Sequence, residues 1–419
     1  MLITSSPCQN FEWVQRTTTI DSLPIELIEK IRFLVSSADI FHLERTSSTF
    51  AKLLDNQMIW TRLFSRDFQS YTQNVKYSIK TCYKINCVVE RNWVTGKFKF
   101  STIERKGWCS TAPIILDAKQ IIVGNTKNFT FELFNKKSYQ LEAIIGEPNE
   151  VYDGLVKFHL DGNNIIAYDS YGLGGIVKIL DREAIKVHKD YNCNRLHLMS
   201  GGKFYSVSNR NNEHGIIVFQ NNVRTQLLES SDPISTEIHQ NSFGIIAGTK
   251  STIRIWDKDD GALLRSIKTD ARVWGIACDD EYVAGLCEGG LQIWNLKTGL
   301  LCYELPQANR CKFHQDTLVY MDDSYRIHIV NRHTGKPIFS FPNSTCATTE
   351  EIREFIINNK QIITLSFSNE INIWDIASGH LIVSFKGSDI ACDNEQLVSY
   401  FENKILIWDF SPTSMPATP

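Results

Sequence analysis

The spacing of apolar residues along the chain changes near residue 93. Before that point apolar residues recur every three or four positions, as they do on one face of a helix. The clearest stripe runs through Ile25, Ile28, Ile31, Leu34 and Val35. After that point apolar and polar residues alternate in short runs separated by Asp, Asn and Gly, which is typical of half-buried strands. The pattern therefore predicts a short helical segment followed by a long β segment.

The β segment consists of repeated units. Each unit carries a Trp, or an apolar substitute, near the end of its third apolar run. These positions are Phe134, Leu180, Phe219, Trp256, Trp294, Val330, Trp374 and Trp408. They recur about every 39 residues, within the period of a propeller blade. In the fifth unit the four predicted strands are VWGIAC, YVAGLC, GLQIWNL and LLCYELP.

Glycines mark the predicted turn between the third and fourth strands of several units, where the chain needs a positive φ. They are Gly261, Gly299, Gly335 and Gly379. The repeats resemble the WD-repeat family of β-propellers. That resemblance implies that each Trp fills the space between neighbouring blades and that the adjacent Asp or Asn ends the third strand. Asp375, beside Trp374, is then a structural residue and not a catalytic acid.

The repeats depart from the family in one respect and raise the question of how the ring closes. The Gly-His pair that usually precedes the first strand is missing, which puts the buried His–Asp network of typical repeats in doubt.

After Phe410 only SPTSMPATP remains, and this Pro-rich segment cannot form a fourth strand. The run KFKFSTIE (97–104) can supply that strand from the other end. We therefore expect a mainly β fold, a WD40-type β-propeller of eight blades over residues 94–411, with seven blades as the alternative.

The helical segment carries a second resemblance. Asp21-Ser22 with Pro24 marks a helix start, and further apolar stripes follow. In order, the matching residues are Leu23, Pro24, Glu26, Leu27, Ile28, Ile31, Asp39, Ile40, Leu43, Thr46–Phe50, Leu54, Ile59, Trp60 and Leu63. They resemble an F-box over about 45 residues. A departure is Glu44-Arg45, where many members carry a small apolar residue.

The region between the two parts resembles the junction of F-box/WD-repeat proteins. Apolar residues at helical spacing (Val75, Ile79, Cys82, Ile85 and Val89) are followed by Asn92-Trp93 and Gly96. We expect a flexible tail (1–18), a small all-α F-box domain (19–66), a helical linker (67–93), the propeller (94–411) and a C-terminal tail (412–419).

The F-box/WD-repeat resemblance implies a non-catalytic role. In that family the F-box docks on the adaptor subunit of a cullin–RING ubiquitin ligase, and the propeller captures the substrate. The expected function is therefore the substrate-recognition subunit of an SCF-type E3 ubiquitin ligase. The adaptor-binding residues would be Leu23, Pro24, Ile28, Ile31, Leu43 and Trp60.

Several cationic residues lie where propellers usually bind ligands, at the starts of first strands and in second-to-third strand turns. The candidate substrate-binding residues of this face are Arg195, Arg210, Lys250, Arg272, Trp274, Arg310 and Arg353. Arg195, Arg310 and Arg353 are expected to share one register, with Trp274 in the fifth unit. Guanidinium groups bind phosphate in a bidentate manner, and in the family such arginines bind phosphorylated degrons. Acidic neighbours at Asp270, Asp322, Asp323, Glu351 and Glu354 leave a non-phosphorylated protein segment open as the ligand.

Composition limits the expected partners, cofactors and cellular compartment. The formal net charge is −3, from 44 Lys and Arg against 47 Asp and Glu, so nucleic acid and membrane are not expected partners. The 11 cysteines form no C-x-x-C pair, and Cys311-x-x-His314 is a lone pair expected to be ordinary strand residues. No metal or other cofactor is expected. The scattered thiols and the absence of a signal peptide or an apolar span predict a cytoplasmic or nuclear protein.

Other functions remain open. The propeller could be a scaffold for assembly, with the F-box making a contact that is independent of the ligase. The chain could equally be a bacterial F-box mimic that is secreted into a host cell and acts on a host ligase. A propeller hydrolase is disfavoured, because the sequence offers no Ser/His/Asp set and no G-x-S-x-G elbow.

Overall fold

The computed structural model divides the chain into two compact units, which are described separately. One comprises Met1–Asn92 with Ser411–Pro419, and the other comprises Trp93–Phe410. The residues that the structure describes are 40, 44–45, 47, 51–52, 54, 57–68, 78–105, 113–124, 130–146, 156–161, 164–169, 175–182, 186–193, 196–200, 203–210, 213–220, 223–306, 308–341 and 351–412.

The N-terminal unit is helical in its described part. Helix α1 is Gln57–Asp67, and helix α2, Ile79–Thr95, begins in this unit. Both were predicted by the helical spacing of apolar residues. Their buried faces form one core, whose members are Ile40, Leu54, Ile59, Trp60, Leu63, Phe64, Phe68, Ile79, Cys82 and Tyr83. Aromatic rings dominate it, with the Trp60 and Tyr83 centroids 5.3 Å apart.

The second unit is built of antiparallel strands that form eight four-stranded sheets within the described residues. Sheet 8 begins with strand β1, Lys99–Glu104. Sheet 1 is β2 (Ile114–Leu116), β3 (Gln120–Gly124), β4 (Phe131–Asn135) and β5 (Leu141–Ile145); sheet 2 is β6 (Val156–Asp161), β7 (Asn164–Asp169), β8 (Gly175–Asp181) and β9 (Lys186–Cys193). Sheet 3 is β10 (Leu196–Ser200), β11 (Lys203–Arg210), β12 (Glu213–Gln220) and β13 (Val223–Glu229); sheet 4 is β14 (His239–Gln240), β15 (Ile245–Gly248), β16 (Thr252–Trp256) and β17 (Leu263–Lys268).

The remaining sheets follow the same order. Sheet 5 is β18 (Val273–Cys278), β19 (Tyr282–Cys287), β20 (Gly290–Asn295) and β21 (Leu301–Leu305); sheet 6 is β22 (Ala308–His314), β23 (Thr317–Asp322), β24 (Ile327–Asn331) and β25 (Pro337–Phe341). Sheet 7 is β26 (Ile352–Asn358), β27 (Gln361–Ser366), β28 (Glu370–Asp375) and β29 (Leu381–Lys386); sheet 8 is completed by β30 (Ile390–Cys392), β31 (Gln396–Phe401) and β32 (Lys404–Asp409). In sheet 5 the four strands coincide with the runs predicted from alternation, to within one residue at each end.

The strand that precedes the repeats completes the last sheet, as predicted. β1 pairs with β32 in an antiparallel register that runs from Lys99 opposite Asp409 to Glu104 opposite Lys404. Sheet 8 therefore combines one strand from the start of the unit with three from its end. Sheets 1 and 8 also share a core, in which Ile114 and Phe134 of sheet 1 join residues of sheet 8 such as Tyr400.

The tryptophans of the repeats are core residues, as predicted. Trp256, Trp294, Trp374 and Trp408 are each at most 5% exposed. Trp256 packs against residues of sheet 3, and Trp294 packs against residues of sheet 4. Each of these indoles therefore fills the space between its own sheet and the preceding one, where a large apolar surface gives a large burial free energy.

The turns after the third strands have the predicted geometry. Gly261, Gly299, Gly335 and Gly379 have φ between +66° and +73°. The Asp375 side chain caps its turn, because its Oδ1 accepts hydrogen bonds from the Ser378 N–H at 2.8 Å and the Ser378 hydroxyl at 2.6 Å. Asp375 is therefore a turn-forming residue, in agreement with the structural interpretation of the Trp-Asp pair.

Candidate binding face

One face of the β unit carries both kinds of position that were predicted to bind a ligand. The Glu288 N–H, in the second-to-third strand turn of sheet 5, donates to the Arg272 carbonyl at 3.1 Å. The Phe367 N–H, in the same turn of sheet 7, donates to the Glu351 carbonyl at 3.1 Å. These turns and the starts of the first strands therefore lie together. We call this surface of sheets 4 to 8 the entrance face.

A β-bulge recurs where the first strands begin, and it decides which side chains share a register. In sheet 5 Val273 pairs with Cys287 and Gly275 pairs with Leu286, so Trp274 is the inserted residue. In sheets 6 and 7 the inserted residues are Asn309 and Arg353. A bulge re-aims the side chain of its extra residue. Trp274, Asn309 and Arg353 are therefore equivalent positions.

Arg310 does not share this register, which corrects the sequence prediction. Arg310 pairs with Met321, just as Gly275 pairs with Leu286 and Glu354 pairs with Leu365. It is thus equivalent to Glu354 of sheet 7, one position further along the strand than Arg353. The prediction was wrong because an alternation of apolar and polar residues does not reveal which strand residue is left out of the pairing.

Arg353 is held by the neighbouring sheet. Its guanidinium donates to the Ser388 carbonyl, just before β30 of sheet 8. Ser388 is itself fixed, because its N–H and its hydroxyl both donate to the Tyr400 carbonyl, at 2.7 and 2.6 Å. A guanidinium that already makes this contact retains other N–H groups for a ligand, but its position is set by sheet 8.

The remaining predicted substrate-binding residues differ in exposure and in how far the structure describes them. Lys250, Arg272 and Arg310 are exposed on the entrance face, and Trp274 is 38% exposed. Arg210 ends β11, where only its backbone is described, and Arg195 lies outside the described residues. Of the predicted residues that the structure describes in full, three cations and one indole are therefore accessible on this face.

The sequence analysis missed a lysine that follows Arg310 on the same strand. Lys312 is two residues further along β22 and so projects from the same side of the strand. The residue is exposed, and its ammonium donates to the Phe355 carbonyl of sheet 7 at 3.3 Å. Desolvation lowers the pKa of Lys312, while Glu354 and Glu237 oppose that shift. Strand periodicity from Arg310 could have identified it.

Two aromatic residues of the entrance face were also missed. Phe367, in the second-to-third strand turn of sheet 7, is 59% exposed. Its ring stands at 88° to that of Tyr325, in the same turn of sheet 6, with the centroids 6.3 Å apart. Together with Trp274 they give the face apolar contact area beside its cations, a combination suited to a protein segment.

Of the predicted adaptor-binding residues, the structure describes Trp60. Its side chain is 1% exposed, and its indole Nε1 donates to the Leu54 carbonyl at 2.5 Å. The Lys80 ammonium lies 5.4 Å from its ring centroid. Trp60 is thus a core residue of its own unit, and its role in adaptor binding stays a prediction. Leu23, Pro24, Ile28, Ile31 and Leu43 lie outside the described residues.

The described part of the chain shows neither a metal-binding cluster nor a helix that could span a membrane. It holds no group of three or more His, Cys, Asp and Glu side chains that could bind a metal ion. Cys311 and His314 both belong to β22; Cys311 is buried, and His314 Nε2 lies 2.6 Å from the Asn359 carbonyl oxygen. None of the described helices is both long and apolar enough to cross a membrane.

Comparison with solved structures identifies the fold class of the β unit. A computationally designed protein, Ika8, superposes with a TM-score of 0.59 at 14% identity, covering 73% of this chain and 98% of its own. BamB from Moraxella catarrhalis superposes with a TM-score of 0.56 at 13% identity, covering 74% of this chain and 99% of its own. The fold is therefore β-propeller-like. No known protein family and no curated protein matches the sequence.

Proposed function

We propose that this protein is the substrate-recognition subunit of an SCF-type E3 ubiquitin ligase. The N-terminal unit would bind the adaptor subunit, and the entrance face of the β unit would bind a protein substrate. The function would be non-catalytic, because the chain would act by binding two other proteins at once. It would need no cofactor.

One observation carries the proposal, which is the division of the chain between Asn92 and Trp93. A compact helical unit with its own aromatic core precedes that point, and a propeller-like unit follows it. The Asn92-Trp93 and Gly96 residues that resemble the F-box/WD-repeat junction lie at this division. The F-box-like series of apolar residues, from Leu23 to Leu63, lies in the helical unit.

The finer architecture belongs to the same proposal. We infer a closed ring of eight WD40-type blades, each blade being one of the eight four-stranded sheets. The shared core of sheets 1 and 8 supports closure, as does the ion pair between Lys136 of sheet 1 and Asp393 of sheet 8. A closed ring removes most exposed strand edges.

The adaptor contact is tested by co-purification from a eukaryotic extract. The tagged full chain is compared with a Leu23→Ala/Pro24→Ala variant, and with Leu300→Ala, whose side chain is 67% exposed on the β unit, as control. We expect adaptor and cullin to co-purify with the parent and the control, and to be lost from the double variant. Recovery of the adaptor without a cullin would indicate a scaffold. Equal recovery from all three chains would refute the proposed adaptor surface.

The substrate face is tested with paired phosphorylated and unphosphorylated acidic peptide libraries on the immobilised full chain. Arg310→Ala should weaken capture, since Arg310 is exposed on the entrance face. Lys297→Ala is the matched control, because Lys297 is also exposed but lies in the third-to-fourth strand turn of sheet 5. Loss of the phosphorylated peptides alone would identify a phosphodegron. Equal capture by the parent and Arg310→Ala would remove Arg310 from the site.

A further inference from the structure

Three polar side chains of sheet 6 form a hydrogen-bonded chain of the Ser–His–Asp type. Asp322 ends β23, His328 lies on β24, and Ser340 lies opposite His328 on β25. The His328 Nε2 is 2.8 Å from the Asp322 Oδ2, and the His328 Nδ1 is 2.8 Å from the Ser340 Oγ. The sequence did not reveal this set because its members belong to three different strands. A serine, a base and a carboxylate in this order are the parts of an activated nucleophile.

The carboxylate decides which imidazole nitrogen carries the proton. The Asp322 Oδ1 accepts the Ser324 N–H at 2.8 Å and the Arg326 N–H at 2.9 Å, which leaves Oδ2 for the imidazole. Burial disfavours the carboxylate, but the hydrogen bonds from His328 and the backbone outweigh burial and lower the pKa of Asp322. An ionised carboxylate can only accept, so Nε2 carries the proton and Nδ1 of the neutral imidazole is an acceptor. The Ser340 hydroxyl must then donate to His328.

The packing fixes the imidazole and leaves the serine open. The Tyr320 ring stacks on the His328 ring, with the centroids 4.8 Å apart and the planes at 18°. Tyr320 is 5% exposed and belongs to a core shared by sheets 5 and 6, against which Leu305 also packs. Ser340 is exposed on the outermost strand of sheet 6. A small molecule can therefore reach this serine without any movement of the strands.

We propose that Ser340 is the nucleophile of an acyl-transfer site for small carboxylic esters, with His328 as its base and Asp322 as a positioning residue. The Ser340 Oγ attacks the ester carbonyl while its proton passes to the His328 Nδ1. The bond to the leaving alcohol breaks, the alcohol takes that proton, and acyl-Ser340 remains. Water, deprotonated by the same imidazole, then releases the acid and restores the serine. This activity is additional to substrate recognition and does not depend on it.

Arg326 supplies a cation for the negative charge that the attack creates. It is exposed and precedes His328 by two residues, so alternation places it on the same side of the sheet. It is diagonal to Ser340 across the strand pair, a separation that a long side chain can span. Its guanidinium can therefore stabilise the oxyanion.

Sheet 7 has the same pair of positions without the imidazole. Ser384 lies opposite Asn372, just as Ser340 lies opposite His328, and the Ser384 hydroxyl donates to the Asn372 Oδ1. Both serines are exposed. An amide oxygen accepts a hydrogen bond but is not a base at neutral pH, so Ser384 should react as an ordinary serine. The two serines give a matched comparison within one chain.

The first test treats the full chain with diisopropyl fluorophosphate, which a reactive serine converts to a stable phosphoryl-serine with loss of fluoride. Peptide mass spectrometry follows the labelled fraction of Ser340 and of Ser384 with time. Ser340 should react at least about 100-fold faster than Ser384, and His328→Gln should remove that advantage. Equal rates at the two serines of the parent, or no labelling of Ser340, would overturn the proposal.

A second assay follows the release of p-nitrophenolate from p-nitrophenyl acetate. Ser340→Ala should lower the rate by about 100-fold or more, whereas Ser384→Ala should keep the parent rate. Arg326→Gln should slow the release and leave the free energy of unfolding unchanged, since the residue is exposed. A parent that releases p-nitrophenolate no faster than Ser340→Ala would contradict the assignment.

Asp322→Asn tests the positioning role. The amide oxygen can keep the two backbone hydrogen bonds, but the amide NH₂ would face Nε2 and select the tautomer with the proton on Nδ1. Nitrogen NMR of histidine-labelled protein, with the signal assigned by its loss in His328→Gln, should show this exchange of tautomers together with the loss of acylation. Acylation at the parent rate, or a loss without the exchange, would refute the role of Asp322.

Discussion

The indole of Trp93 stacks on the ring of Phe410, with centroids 3.8 Å apart and planes 13° apart. These are the first and last residues of the β unit. The Trp93 Nε1 also donates to the Asn394 carbonyl at 2.8 Å. This aromatic pair therefore joins the two ends of the unit beside sheet 8, which itself is built from both ends.

The first prediction concerns this pair. Trp93→Ala removes an indole that is 1% exposed, together with its stacking and its hydrogen bond. We expect the free energy of unfolding to fall by about 3–5 kcal/mol, as for other large-to-small core substitutions. The measurement is urea unfolding followed by far-UV circular dichroism. Trp274→Ala, at a half-exposed tryptophan, should cost about 1 kcal/mol or less. Similar losses from both variants would mean that the stacked pair contributes little.

The second prediction separates backbone strain from steric clash in the turns after the third strands. Gly379 and Gly299 have nearly the same φ, +68° and +73°. A Cβ at Gly379 would overlap the Phe339 ring, whereas a Cβ at Gly299 would meet only the flexible end of Arg265. Gly299→Ala should therefore cost about 1 kcal/mol of αL strain. Gly379→Ala should cost a further 1–3 kcal/mol or so for overpacking.

The same urea titrations test this difference. Because both variants add one methyl group at nearly the same backbone conformation, their difference compares the Phe339 contact with the Arg265 contact. Phe339→Leu should relieve Gly379→Ala and leave Gly299→Ala unchanged. Equal losses from the two alanine variants would show that the ring moves aside without cost.

Much of the fold could be read from the sequence, but the detail of the entrance face could not. Alternation gave the four strands of sheet 5, because each strand has one buried and one less buried face. The turn glycines were identifiable because positive φ selects for them. The bulges at Trp274 and Arg353 could not be found this way, since an inserted residue leaves the pattern of apolar residues almost unchanged.

The sequence also could not predict the environment that the fold creates around an individual side chain. Asp389 looks like an ordinary turn aspartate in KGSDIAC. Enclosure by protein, and then the Glu354 carboxylate of sheet 7, raise its pKa to about 7. Likewise, Trp60 fits an F-box series in the sequence, and only the packing of Leu54 and Tyr83 around it reveals a core residue.

The third prediction concerns the buried ion pair between sheets 1 and 8. The Lys136 side chain is 9% exposed, and its ammonium contacts Asp393 and lies 3.9 Å from Glu395. Lys136→Met would leave these carboxylates without their cation, and we expect a loss of about 1–3 kcal/mol, since both keep some contact with solvent. Asp393 also caps a turn, so Asp393→Asn should keep those hydrogen bonds and cost less.

A double-mutant cycle measures this pair. The loss of stability in the Lys136→Met/Asp393→Asn variant should be smaller than the sum of the losses in the two single variants. The reason is that the double variant no longer has the uncompensated Asp393 carboxylate. Additive losses would indicate that Lys136 acts through the packing of its aliphatic stem and not through its charge.

The fourth prediction concerns acid stability and His314. Burial lowers the pKa of His314, and the hydrogen bond to the Asn359 carbonyl opposes that shift only in part. Between the lowered value and the ordinary value of about 6.5, the unfolded chain binds more protons than the native protein, so acidification through this window reduces stability. His314→Gln retains a side-chain N–H donor but cannot titrate. It should therefore lose less stability than the parent between pH 6.5 and 5, roughly the range in which an ordinary histidine gains its proton.

His380→Gln, at an exposed position, is the control and should behave as the parent does. If His314→Gln and the parent lose stability in parallel on acidification, the buried imidazole is not a source of the acid sensitivity.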